Sequence, residues 1–559
     1  MRVKKRKNFS LRNFFRKTHY YLSNLVLFSI FLFFIVNLAN LQIFKFTSSA
    51  STSESRASII KAPRGEIYAV DKDGNLYSIA SNEVFYKVYF KNFRNYPKEK
   101  LQEFYHQIAK IITPRVSLEE FLDSGQKLLF LGEVDLNKRK ELSKLNLDVI
   151  WFEQDYRRIY PYKDLIKIVG FVQEKGVYGL ESYYDNFLKK VDGLIVDGKI
   201  KRVPEKGYDL VTSLDINVQT NVFNFTKEFM KEYDFKEAIV IVMSAKDGSI
   251  VAWVEIPSYD PNEYNKVSDF SLFKIKGVEP FEPGSVIKPF LYSLAIENKL
   301  ITPQAKYEDK GYVFVDGQTI SNWDKRKYGV ITFQEALNKS LNTGAIYIQN
   351  LLGEAKTLEF FEKLGFEEST GVDLFEEVGS LKTLRKPFGR KINFFTASFG
   401  QGISVTPIRL ISDFLMFAKD GTILRPFIVK EIRSDHIEKF SGAITSKLIS
   451  QETAKVMNKM LQEVVEDGYG KKARMEKFWV AGKTGTAQVF NKELQRYDDR
   501  KIIHTFLGYF PATRPEFAIL VILKEPKDNS IISSQTAPKL WKRIAEYLVD
   551  YYGILPDKY

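Results

Sequence analysis

The sequence predicts an α/β protein of the α+β kind: one antiparallel five-stranded sheet sandwiched by helices, preceded by a mixed N-terminal domain and one transmembrane helix. Three observations lead there. Two β-rich runs, Ala238 to Met243 and Ser249 to Ile256, lie far upstream of three more, with helical texture between. A sheet fed from both ends of a long helical stretch must be covered by those helices to bury its apolar faces. Third, a 24-residue stretch without a charge follows a basic N-terminus.

The elements follow in chain order. Residues 1–20 form a basic tail: Arg2, Lys4, Lys5, Arg6, Lys7, Arg12, Arg16 and Lys17 fall in the first 17 positions, where no acid occurs. Residues 21–44, YLSNLVLFSIFLFFIVNLANLQIF, would reach about 36 Å as a helix, enough to cross a ~30 Å hydrocarbon layer. The stretch is too long for the apolar core of a cleaved signal. With the tail held in the cytoplasm, everything after it is expected on the extracytoplasmic side of the cytoplasmic membrane, as a single-pass protein. Residues 45–60, including TSSASTSESRAS, read as a small-polar linker. Residues 61–206 mix short strands and helices. Here Ile67 to Ile79 holds two alternating runs around Lys72-Asp73-Gly74-Asn75, a hairpin pattern, and Lys98 to Ile112 has helical spacing.

Residues 207–559 carry the predicted sheet. Ile216 to Tyr233 reads as a helix, and Lys246-Asp247-Gly248 turns the first two strands into a hairpin. The middle, Pro289 to about Lys471, is expected to be helical. The late strands are Phe478 to Ala481 running on toward Val489, Ile503 to Phe510, and Phe517 to Leu523, closed by an amphipathic helix from Leu540 to Tyr551.

Composition narrows the function. The net charge of +14 points toward nucleic acid until the tail's eight basic residues are removed; 75 basic against 69 acidic residues then leave +6, ordinary for a protein surface. There is no cysteine, which excludes thiol catalysis, disulfides and Cys-based metal sites. The four histidines (His19, His106, His436, His504) match no zinc spacing.

Chemistry appears first in FEPGSVIKPF. Ser285 and Lys288 are three residues apart, after Pro283-Gly284 and before an apolar helical pattern that runs through Leu300. Pro289 is tolerated only in a helix's first turn, so the helix should start near Ser285, with the two side chains on one face. Ser58/Lys61, Ser124/Lys127 and Ser271/Lys274 share the spacing but not this context. A lysine at its ordinary pKa of ~10.4 is protonated and cannot activate a hydroxyl. Burial or a second cation would lower it. Lys483, in WVAGKTGTAQVF, offers that cation, and Gly485 would let a ligand approach the strand backbone. Between them NKSLNTGA supplies Ser340 and Asn342, whose side chains point the same way if the segment is a short loop. Each piece alone also reads as a cap, turn or plain strand. Together Ser-x-x-Lys, Ser-x-Asn and Lys-Thr-Gly stand in order, 55 and then 143 residues apart. No histidine is identifiable near Ser285 for a Ser-His-Asp triad.

This chain resembles class B penicillin-binding proteins, membrane-anchored D,D-transpeptidases of bacterial cell-wall synthesis, whose transpeptidase domain has the serine β-lactamase-like fold. Besides the three motifs, APRGEIYAVDKDGNLYSIASN and YGLESYYDNFL resemble family stretches of the N-terminal pedestal domain. GYDLVTSLDINVQ, IPSYDPNEY, FGQGISVTPIRL and HTFLGYFPA resemble stretches of the catalytic one. The link between Leu188 and Gly207 is short for the family. The resemblance implies that Ser285 is acylated, Lys288 is its base, Ser340 relays protons, and Asn342 binds the substrate amide and Lys288. It also implies that Lys483, Thr484 and Thr486 hold the substrate carboxylate, and that the N–H groups of Ser285 and Thr486, across Gly485, form an oxyanion hole. The implied substrates are stem peptides ending in D-Ala-D-Ala and a neighbouring stem's amine, with β-lactams as inhibitors and no metal or cofactor. The implied partners are a SEDS-family glycan polymerase and division proteins. Phe281-Glu282-Pro283-Gly284-Ser285 and Asn342 resemble the septal rather than the elongation branch. A D,D-carboxypeptidase or β-lactamase would need a hydrolytic glutamate, which is not identifiable. A β-lactam sensor would need a signalling route inward, which one span and a short tail supply poorly. A dead scaffold does not fit intact motifs.

Overall fold

A computed structural model describes residues 57–91, 96–123, 128–196, 199–491 and 496–559. The basic tail, the apolar stretch 21–44 and most of the linker lie outside the described residues. Among the described residues no helix is long and apolar enough to cross a membrane.

The main sheet has five strands: β1 (Phe235–Ser244), β2 (Ile250–Ile256), β3 (Ala481–Asn491), β4 (Arg496–Phe510) and β5 (Phe517–Pro526). Their order is β2-β1-β5-β4-β3, antiparallel throughout. β1 is an almost unbroken apolar run because both faces are covered. Val240 and Val242 pack with Val218, Val222, Trp541 and Leu548, which come from the helices α1 (Ile216–Tyr233) and α5 (Ala537–Tyr552). Ile239, Ile241 and Met243 point the other way, into a core with α2 (Lys288–Glu297), α3 (Asn342–Leu352) and α4 (Gln451–Glu466). α1 begins where Asp215 accepts hydrogen bonds from the N–H groups of Asn217 and Val218, and stops at Asp234, whose φ of 51° cannot continue a helix.

Three expectations need correction. The apolar pattern through Leu300 overstates α2, which ends at Glu297. The side-chain amide of Asn298 donates to Leu294 O, and Lys299 turns left-handed at φ 57°. The late strand begins at Ala481, so Phe478 to Val480 lie outside it. The middle region is not purely helical: it contains the ribbons Lys306–Asp309 with Gly329–Thr332, Tyr312–Val315 with Gln318–Ser321, and Thr422–Leu424 with Ile444–Lys447.

A second sheet joins Asp209–Asp215 in parallel to Ile67–Val70 and antiparallel to Val429–Arg433. Ile67–Val70 pairs with the long strand Leu76–Lys91, which in turn pairs with Leu128–Val134 and Ile150–Ile159. Residues on both sides of Gly207 therefore share one sheet. A separate compact unit contains most of a three-stranded sheet formed by Ala57–Ile60, Gly193–Val196 and Lys199–Arg202.

Candidate active site

Ser285 lies in a single 3-10 turn, Gly284–Ile287, directly ahead of α2. That turn is pinned from two sides by glycines. A Cβ on Gly400, which has φ 82°, would come 2.2 Å from Gly284 O. A Cβ on Gly485 would come 2.7 Å from Val286 Cγ2 and 3.2 Å from Pro283 O. The absence of a side chain at Gly485 thus lets β3 close against the serine turn.

Lys288, the first residue of α2, is fully buried. Its Nζ donates to Ser340 O at 2.6 Å and to Asn342 Oδ1 at 2.9 Å, with Ser340 Oγ at 3.4 Å. Burial lowers its pKa well below the ordinary lysine value, and the nearby charge of Lys483 lowers it further. Lys483 is also fully buried; its Nζ donates to Ser340 Oγ at 2.9 Å and Thr484 O at 3.0 Å. Burial pulls its pKa down to about 7.

Ser340 and Asn342 meet Lys288 through unlike backbone conformations. Ser340 is left-handed, at φ 54°, in the turn after the helix Phe333–Asn338, while Asn342 opens α3. The Asn342 amide donates to Ser321 O at 3.0 Å. The left-handed turn directs both oxygens of Ser340 at lysines, at the strain cost of a non-glycine residue there.

A cavity of about 430 Å³ is lined by Ser285, Ser340, Asn342, Thr484 and Thr486. Lys288 and Lys483 lie beneath it, and Gly485 faces the serine turn. Among the Ser-x-x-Lys pairs set aside, Ser271 and Lys274 are solvent-facing, Lys274 pairing with Glu279 at 3.3 Å. Ser124 and Lys127 lie outside the described residues.

Sequence reasoning missed several cavity residues: Trp323, Tyr469, His504 and Ser533. Trp323 and Tyr469 meet edge-on, with ring centroids 5.4 Å apart. His504 enters the cavity because the β3–β4 register sets it opposite Thr486. Its Nδ1 is 2.9 Å from the Thr536 hydroxyl, not a carboxylate, and burial lowers its pKa to about 4. It is therefore neutral near pH 7 and no triad member. A period-two reading of the hairpin from Lys483 to Phe510 could have found it. Ser533 Oγ donates to Gly485 O at 2.7 Å, tying the edge strand from its outer side. Among the described residues no group of His, Asp and Glu could hold a metal ion.

A buried amine whose pKa is lowered by burial, next to a serine turn and with a second hydroxyl between two lysines, can run acyl transfer. Comparison with known proteins agrees. The family described as penicillin binding protein transpeptidase domain matches residues 238–545, more than half of the chain. Stage V sporulation protein D of Bacillus subtilis is 28% identical over 92% of this chain and 82% of that protein. Peptidoglycan D,D-transpeptidase FtsI of Buchnera aphidicola is 27% identical over 75% of this chain and 74% of its own length. Among solved structures, penicillin binding protein 2X from Streptococcus thermophilus superposes with a TM-score of 0.75 at 21% identity, covering 88% of this chain and 80% of that one. That likeness is one of fold.

Proposed function

Since the chain belongs to the penicillin-binding protein transpeptidase family, we propose that it is a peptidoglycan D,D-transpeptidase cross-linking stem peptides through a Ser285 acyl-enzyme, at the division septum. The observation that carries this is the buried Lys288, whose Nζ meets only neutral oxygens. A neutral amine has two N–H groups and one lone pair. With the N–H groups directed at Ser340 O and Asn342 Oδ1, the lone pair remains for the Ser285 proton.

Ser285 Oγ attacks the carbonyl carbon of the penultimate D-alanine as its proton passes to Lys288 Nζ. The charge on the carbonyl oxygen is met by the N–H groups of Ser285 and Thr486. Collapse breaks the C–N bond, and the departing D-alanine amine takes a proton through the Ser340 hydroxyl. The acceptor amine of a neighbouring stem then attacks the ester, gives up its proton along the same route and releases Ser285. Thr484, Thr486 and Lys483 bind the donor carboxylate, which favours the charged form of a lysine titrating at about 7. The second N–H of the Asn342 amide is left for the substrate. A β-lactam enters as a mimic of the donor and stays on the serine.

We read residues 21–44 as the membrane anchor, residues 61–206 as a pedestal and residues 207–559 as the extracytoplasmic transpeptidase, working with a SEDS-family polymerase and division proteins. Septal duty is supported by the Glu282 and Asn342 context and by relatives named FtsI. A second reading, wall synthesis during sporulation, is supported by the relative named for that process, which spans more of the chain.

The test replaces the cellular copy with Ser285→Ala and follows labelled penicillin and cell shape. Loss of label with filamentous growth is expected. Label persisting on the variant would refute the serine assignment. Round cells would assign elongation instead, and normal growth with failed spores the second reading.

A further inference from the structure

Asp309 lies at the end of the ribbon strand Lys306–Asp309, completely buried. Its carboxylate collects donors from three separate places. Oδ1 accepts from Thr343 Oγ1 at 2.7 Å, Gly311 N at 3.0 Å and Asn322 Nδ2 at 3.1 Å. Oδ2 accepts from Tyr328 N at 2.8 Å, with Asn322 Nδ2 at 3.3 Å. The amide of Asn322, oriented by this carboxylate, turns its Oδ1 to the N–H of Thr343 at 3.2 Å.

These bonds converge on the first turn of α3. Thr343 is held there by both side chain and backbone. Its neighbour Asn342 donates to Ser321 O, the residue before Asn322, and accepts from Lys288 Nζ. We propose that Asp309 is a positioning residue for acyl transfer: it locks the segment Ser321–Asn322 to the start of α3, and so fixes the Asn342 amide that orients Lys288. The proposal rests on the reading of Lys288 as the base.

A carboxylate is what the site requires. Four donor groups face one side chain, and an ionised carboxylate accepts on both oxygens and donates nothing. An asparagine there turns an NH2 toward the N–H of either Tyr328 or Gly311, so one side must give way. The negative charge also lies at the N-terminal end of an 11-residue helix, where the backbone dipole favours it.

The test is a double-mutant cycle on the full-length protein, reading the second-order rate of acylation by a labelled penicillin. Asp309→Asn is expected to slow acylation roughly tenfold, as a small misplacement of a catalytic group does. Asn342→Ala should slow it as well. The double variant should be no slower than Asn342→Ala alone, because a residue acting only through Asn342 has nothing left to act on. Losses that multiply would mean Asp309 serves the fold in general and would overturn the proposal, as would Asp309→Asn acylating at the wild-type rate while Asn342→Ala is slow. If Asn342→Ala is itself as fast as wild type, the reading beneath fails and takes the proposal with it. Should Asp309→Asn not fold, Thr343→Val removes the shortest of these bonds at nearly constant volume and runs the same cycle with the same expected outcome.

Discussion

Lys288 meets only the carbonyl oxygens of Ser340 and Asn342 and, more distantly, a hydroxyl, so its charged form has lost water without gaining a counter-ion. The sign of the linkage follows. Its folded pKa is depressed, so above that value the folded protein holds it neutral while the unfolded chain, with a pKa of ~10.4, still binds the proton. The unfolded state therefore binds more protons in this window, and stability rises with pH up to ~10.4. Below the folded pKa the cost is fully present. Lys288→Met keeps the length and removes the titration. Between its folded pKa and ~10.4 the unfolding free energy of the Lys288→Met variant should rise less steeply with pH than that of the wild type, while Lys483 keeps its own contribution. Acylation should fall by about 10²- to 10⁴-fold, the range for a lost general base. Denaturation at several pH values with penicillin kinetics checks both; an unchanged slope would mean that Lys288 is charged in the fold. The Ser285, Lys288, Ser340, Asn342 and Lys483 set was legible because each piece is a local spacing. Trp323, Tyr469 and His504 were not, since they enter the cavity only through long-range packing or the register of a hairpin.

At the scale of elements, the closeness of β3 to the serine turn depends on residues without side chains. Gly400 and Gly485 differ in what opposes a methyl group. At Gly485 the nearest atom is a methyl group of the Val286 side chain, at 2.7 Å, with the Pro283 oxygen farther off at 3.2 Å. Gly485→Ala should cost about 1–3 kcal/mol, the usual overpacking penalty. At Gly400 the obstacle is the backbone oxygen of Gly284, and φ is already left-handed. Gly400→Ala should therefore lower the melting temperature more and slow acylation more, because only a shift of the turn carrying Ser285 relieves the clash. Equal effects in melting and labelling experiments would show that the turn yields freely. The long elements could be read in the sequence: Ile216–Tyr233 was found to the residue, and the main strands by their unbroken apolar runs. The ribbons of the middle region were missed because strands of three or four residues, such as Lys306–Asp309, complete too little of a period to register. Close approaches such as Gly485 to Val286 leave no periodic trace either.

For the whole molecule, the question is whether a boundary at Gly207 separates independently folding parts. The sequence changes texture there, yet the backbone is knitted across it. Gly207 N donates to Pro63 O at 3.1 Å, Leu210 N to Glu66 O at 2.8 Å, and Thr212 Oγ1 to Tyr68 O at 2.9 Å. Farther on, the buried pair Lys167–Glu255, at 3.1 Å, ties the N-terminal part to β2. Texture reports local composition, whereas the pairing of Ile67–Val70 with Asp209–Asp215 joins segments about 140 residues apart, which no local window sees. A fragment 207–559 keeps every motif residue but strips one edge of Asp209–Asp215 and takes Lys167 from Glu255. An unpaired edge invites aggregation, and Glu255 loses its counter-ion, keeping only the N–H donors of Trp253, Lys276 and Gly277. The fragment is therefore expected to melt roughly 5 °C or more below the fragment 60–559, or to aggregate. Lys167→Met in the longer fragment should reproduce part of the loss by removing the ion pair alone. Equal melting temperatures and equal penicillin labelling for the two fragments would mean that the shared sheet contributes little, and that residues 207–559 fold without residues 60–206.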